Sequence, residues 1–230
     1  QGENKTSMKE QTKFRIKRPE RNRSIYILLT KSDTCISKII NLTTADRYTH
    51  ASISFEENLQ PMYSFARKYV HFPLPAGLRH EPLDEGFFKR YSYIPCALYE
   101  LKVTEDAYNR AKRRVERMMK KQKKYRFSVL GLILCRLSIP FHRKHFYFCS
   151  EFVGSILEDS NALSLPKAPS LMRPNDYSKF NNMSCKFEGR LNTLMQQLGF
   201  SPSPAYSSRS SKSIWSIVRI GSMIPFIGGR

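Results

Sequence analysis

Apolar residues along this chain switch between a period of two and a helical period, which restricts it to a mixed α and β fold. Ser24 to Thr30 (SIYILLT) is rich in β-formers and predicts a buried strand. Thr49 to Phe55 alternates and predicts another. Glu56 to Pro61 is turn-like, so Met62 to Ala66 reads as the partner strand of a hairpin. Ala97 to Val103 predicts a further strand. Thr104 then caps a helix whose first turn carries Glu105 and Asp106. Ala107, Ala111, Val115 and Met118 or Met119 form its narrow apolar stripe. Cys35 to Leu42 has helical spacing behind Ser32 or Asp33 as cap. Phe152, Val153, Ile156 and Leu157 predict the buried face of another helix, which ends at Glu158 to Asn161. Lys68 to Arg90 and Leu163 to Asp176 read as long loops, and Cys185 to Leu191 as a short strand.

These elements fit one domain over residues 24–198. A basic segment, 1–23, precedes it. A Ser/Pro linker, 199–213, leads to an apolar tail, 214–230. Gln1-Gly2 lacks a methionine and reads as a protease-cleavage scar, which leaves Met8 or a trimmed residue as the native start. No signal peptide is visible, and the apolar run from Phe127 to Cys135 is too short to span a bilayer.

Five cysteines, an odd number, lack C-x-x-C spacing, which argues against a disulfide framework and a ribbon-type zinc site. A reducing cytoplasm is the expected compartment. His142, His145 and Cys149 could gather a metal, but Arg143 and Lys144 beside them disfavour a cation. The expectation is no metal and no cofactor. The net charge of +20 predicts attraction to something anionic.

Two segments concentrate the chemistry. Tyr48-Thr49-His50-Ala51-Ser52-Ile53 places a histidine at the start of a strand. Phe148-Cys149-Ser150-Glu151-Phe152-Val153 places a cysteine at a helix start. Taken singly, such a cysteine is more often a small buried hydrophobe, and such a histidine structural. Together they make a nucleophile and a base, because a helix N-terminus favours thiolate and its free N–H groups can face a developing oxyanion. Cys35 and Cys135 lie inside apolar runs, and Cys96 leads straight into a strand.

Phe148 to Val153 resembles the cysteine motif of the NlpC superfamily of papain-like enzymes, and Thr49 to Ile53 resembles its histidine strand. The histidine comes first here. That order is similar to the circularly permuted branch that includes lecithin:retinol acyltransferase-like proteins. The resemblance covers roughly Ser24 to Leu191. It implies an α+β, papain-like fold, with an antiparallel sheet packed against a helix carrying the cysteine. It also implies Cys149 as nucleophile and His50 as general base, acting through a thioester acyl-enzyme.

Papain-like sites place a polar residue on the strand after the histidine, and Ser64 is the candidate for that third role. Tyr48, two residues before His50, is expected either to line the site or to pack in the core, and Ser150 is expected to line the site. Glu151 reads as a first-turn residue that complements the helix dipole. On the basic helix, Arg110, Arg113, Arg114, Arg117, Lys120 and Lys121 are either a solvated face or an anion-binding one. The tail suits a membrane interface or docking onto protein about equally. The leading expectation is a cysteine hydrolase or acyltransferase for an amide or ester in a peptide or acyl lipid. The alternative is a catalytically idle module binding anionic lipid. No zinc-finger or RNP motif supports nucleic acid as partner.

Overall fold

The computed structural model describes residues 22–31, 46–69 and 74–201. The expected helix at Cys35 to Leu42, residues 1–21 and the tail lie outside the described residues, as does the linker beyond residue 201.

The described chain is α+β, with an eight-stranded, mostly antiparallel sheet. Its strands are β1 (Asn22–Thr30), β2 (His50–Ser54), β3 (Met62–Arg67), β4 (Ala76–His80), β5 (Pro95–Thr104), β6 (Arg126–Phe127), β7 (Phe146–Tyr147) and β8 (Met183–Arg190). Their spatial order is β7-β6-β4-β3-β2-β1-β5-β8, and only the short β6–β7 pair is parallel. The helices are α1 (Gly86–Arg90), α2 (Glu105–Lys120), α3 (Val129–Arg136), α4 (Cys149–Asp159) and α5 (Leu191–Gln197).

Strand β1 explains the layering. Side chains alternate across a strand, so a continuous apolar run needs cover on both sides. Ile25, Ile27 and Leu29 enter the core shared with α2 and α4. Tyr26 and Leu28 enter a second core with Phe88 of α1 and with Leu191, Leu194 and Met195 of α5. The stripe expected on α2 is the buried one: Ala107, Ala111, Val115 and Met118. Thr104 caps that helix by accepting from the Ala107 N–H at 3.2 Å.

α4 packs on β2 and β3, with Phe152, Val153, Ile156 and Leu157 fully buried. Gly154 permits a close approach on its other side. A Cβ there would lie 3.0 Å from the Tyr177 hydroxyl and 3.2 Å from Leu165 Cδ1. Two expectations need correction. Lys68 to Arg90 is not one long loop but contains β4 and α1. Leu191 belongs to α5, not to the last strand, which starts earlier at Met183.

Candidate active site

His50 opens β2, opposite Thr30 of β1. Cys149 is the first residue of α4, behind an extended Phe148 that itself follows β7. The sheet-to-helix packing brings the two side chains together at one cavity, where each shifts the titration of the other. Imidazole Nε2 lies 2.8 Å from Oε2 of Glu81, so Nδ1 is the nitrogen left for the thiol. Glu81 sits just past β4 and is held beside β3 by its N–H, which donates to Met62 O at 2.9 Å. The Ser52 hydroxyl donates to the same Oε2 at 2.7 Å and lies 3.3 Å from the imidazole. His50, Glu81 and Ser52 therefore form one continuous polar chain beside Cys149 in a largely buried setting.

Burial opposes charge on all three titrating groups, yet their mutual contacts outweigh it. For His50, desolvation lowers the pKa, but Glu81 and Cys149 raise it to about 10. For Cys149, burial acts upward, while His50 and the backbone N–H groups of Ala51 and Ser150 bring the thiol below its ordinary value. Burial likewise acts upward on Glu81, and His50 and Ser52 hold it low. Each contact favours the charged form of its partner: the imidazole draws the thiol down, and Glu81 is the charge that stabilises the histidine cation. The other buried thiols go the opposite way. Burial pushes Cys96 up to about 12 and also raises Cys135.

Ser64 is not the orienting group. Its buried hydroxyl donates to Ala51 O at 2.7 Å, tying β3 to β2 behind the histidine. The contact with the imidazole expected of it is made instead by Glu81, one strand further along the sheet. Ser64→Ala is expected to cost about 1 kcal/mol of stability, the worth of one such bond. It should leave the alkylation rate of Cys149 unchanged. Chemical denaturation and thiol labelling measure the two effects separately.

Tyr48 does not line the site. It lies before β2 and is buried in the core on the α2–α4 side, with its hydroxyl donating to Glu188 Oε1 at 3.1 Å. Of the two roles expected of it, the packing one holds, and strand parity does not carry it to the site because the strand begins only at His50. Ser150 does border the cavity, although its hydroxyl donates to Met172 O at 2.8 Å. Below it, Tyr177 donates to Ser150 O at 2.7 Å, pinning the first turn of α4. Glu151 accepts from the Phe148 N–H at 3.3 Å, as a first-turn carboxylate should, and also meets His142 Nδ1 at 2.8 Å. His145 packs edge-on against Tyr125, so His142 and His145 are each engaged away from Cys149.

Cys149 and His50 open into a cavity of about 190 Å³. Phe65, Phe87, Phe88 and Leu132 give it apolar walls, while Arg67, Lys68 and Arg79 make one side basic. Arg79 is also structural there, donating to Arg67 O at 2.7 Å and Lys68 O at 3.0 Å.

The six cations expected to bind anions divide. Arg110 donates to Ser160 O at 3.0 Å and pairs with Asp106, and Arg114 pairs with Asp159. Those two fasten α2 to the end of α4. Arg113, Arg117, Lys120 and Lys121 are exposed. No helix among the described residues is long and apolar enough to cross a membrane. Comparison with protein-family models, curated proteins and solved structures finds no match for this chain.

Proposed function

We propose that this protein is a papain-like cysteine hydrolase or acyltransferase of circularly permuted order, acting on an amide or ester. The observation that carries the reading is the His50 imidazole, held by the Glu81 carboxylate, beside the Cys149 thiol in a buried site that opens into a cavity. A structural cysteine gains nothing from a depressed pKa, whereas a nucleophile needs one. The carboxylate supplies the charge that a serine at the third position lacks, which favours turnover over an idle binding module.

In the reaction, the Cys149 thiolate attacks the substrate carbonyl. The N–H groups of Ala51 and Ser150, which favour negative charge on the sulfur, are the candidate donors to the developing oxyanion. The tetrahedral adduct expels the amine or alkoxide, which takes the proton from the His50 imidazolium. A thioester on Cys149 and a neutral imidazole remain. Water, or an acceptor amine or hydroxyl, then attacks the thioester while His50 takes its proton. The acyl product leaves, and the thiolate–imidazolium pair is restored. Glu81 keeps the imidazole oriented and stabilises its charged state throughout.

The test is trapping of the acyl-enzyme with a p-nitrophenyl acyl ester, read by intact-mass and peptide mass spectrometry. One acyl group on Cys149, released by hydroxylamine and absent in Cys149→Ala, is expected. Absence of that adduct in a protein with unchanged circular dichroism would sink the proposal.

A further inference from the structure

We propose that α3 and the turn after it dock this protein onto an anionic lipid surface, a role distinct from the chemistry at Cys149. Helix α3 is apolar nearly all round but buries only Gly131 and Cys135. Leu130 is 54% exposed, Ile133 44%, Leu137 63% and Ile139 48%. Leu130, Ile133 and Leu137 fall at spacings of three and four, so they project from one side of the helix. Isolated exposed apolar residues are ordinary, but a contiguous group on one short element marks a surface that meets something apolar.

The surrounding charge identifies the occupant. From Arg117 to Ser150 the chain has nine lysines and arginines and no aspartate or glutamate. Lys123, Lys124, Arg126 and Lys144 flank α3, are exposed and form no ion pair among the described residues. A second copy would bring the same positive face against itself. The tail, residues 214–230, is apolar but also basic and without a carboxylate, so its charge opposes docking there. A membrane interface carrying anionic headgroups matches both parts. Apolar side chains enter the acyl boundary, and the cations around them meet phosphate. At eight residues α3 is about 12 Å long, so it lies in the interface without crossing it.

The same helix borders the cavity. Leu132 and Arg136 of α3 line it, as does the half-exposed Tyr69. Docking by α3 therefore sets the cavity mouth at the lipid surface, where an acyl chain can reach Cys149. That consequence rests on the proposed chemistry, whereas the docking does not.

The experiment is co-sedimentation of the full chain with vesicles of phosphatidylglycerol and phosphatidylcholine, or of phosphatidylcholine alone, at low and high salt. Wild type should bind the mixed vesicles, and salt should weaken the binding. The pair Leu130→Asp and Ile133→Asp should reduce binding at least tenfold. Lys123→Gln with Lys124→Gln, which leaves the apolar face intact, should reduce it severalfold on the mixed vesicles only. Cys149→Ala should bind as wild type, so failure of the acyl-enzyme chemistry leaves this result readable. No binding by wild type would overturn the proposal. So would wild-type binding by the aspartate pair, which would place the seat elsewhere, such as the tail. Lipid-free self-association that the aspartate pair abolishes would also overturn it, by assigning the face to a second copy.

Discussion

At pH 6.5, His50→Ala is expected to slow alkylation of Cys149 by iodoacetamide about a hundredfold, since each unit of rise in thiol pKa removes about tenfold in thiolate. Without the imidazolium, the largest influence left on the thiol is burial, which acts upward, and only the N–H groups of Ala51 and Ser150 oppose it. Glu81→Gln should slow the reaction about tenfold. The amide keeps the shape but not the charge, so burial drives the imidazole toward its neutral form and the proton passes to sulfur. The sign of the pH dependence follows. A lowered thiol pKa makes wild-type labelling begin below the range of a free thiol, about 8.5. Both variants should shift that onset upward rather than scale the whole profile down. Peptide-resolved mass spectrometry provides the measurement, with the exposed Cys185 as an internal reference. Equal rates for wild type and His50→Ala across pH 5 to 9 would mean that the pair does not activate the sulfur.

The contrast between His50 and Glu81 shows what a sequence can carry. Cys149 and His50 are legible because each opens an element with a strong local pattern. The apolar spacing of Phe152, Val153, Ile156 and Leu157 marks the helix, and the alternation after His50 marks the strand. Glu81 has no such frame. The strand before it, Ala76 to His80, has one large apolar residue, Leu78, and ends in Arg79 and His80, so its period of two is hidden. Its place in the sheet comes from pairing with β3, where Phe65 faces Leu78 and Ser64 faces Arg79. A carboxylate that becomes buried only through such non-local pairing leaves no trace in a window of sequence. Glu56 and Glu57, nearer to His50 in the chain, stay in the turn, where Glu56 meets Lys112 at 3.1 Å. Short helices are hidden for a related reason. Below about 12 residues a helix depends on tertiary packing. Helices α1, α3 and α5 have five, eight and seven residues, and none was apparent from periodicity. For α3 the uniform apolar character gives no direction to its face, and only the fold reveals that much of that surface is left uncovered.

Phe152→Ala should destabilise the domain by about 3–5 kcal/mol, the usual cost of emptying a buried aromatic site. Phe152 is fully buried on the inner face of α4, its ring centroid 5.3 Å from that of Phe65 on β3. Partial collapse around the vacancy is hindered because α4 is held from behind, where Tyr177 bonds Ser150 O and the helix backs closely on Tyr177 and Leu165 at Gly154. Against a typical total of about 5–15 kcal/mol, the loss is large enough to lower Tm by roughly 10 °C in a chain of this size. The consequence reaches the site because Phe152 lies one turn from Cys149 and anchors the helix whose first turn presents the sulfur. Loosening α4 moves the thiol away from His50 and from the Ala51 N–H together. Alkylation of Cys149 at pH 6.5 should therefore fall in Phe152→Ala under conditions where the protein is still folded, while labelling above pH 9 should rise as burial is lost. Thermal melts paired with the labelling profile separate the two effects. A Tm within 2 °C of wild type would show that the α4–β3 contact is not the anchor of the site.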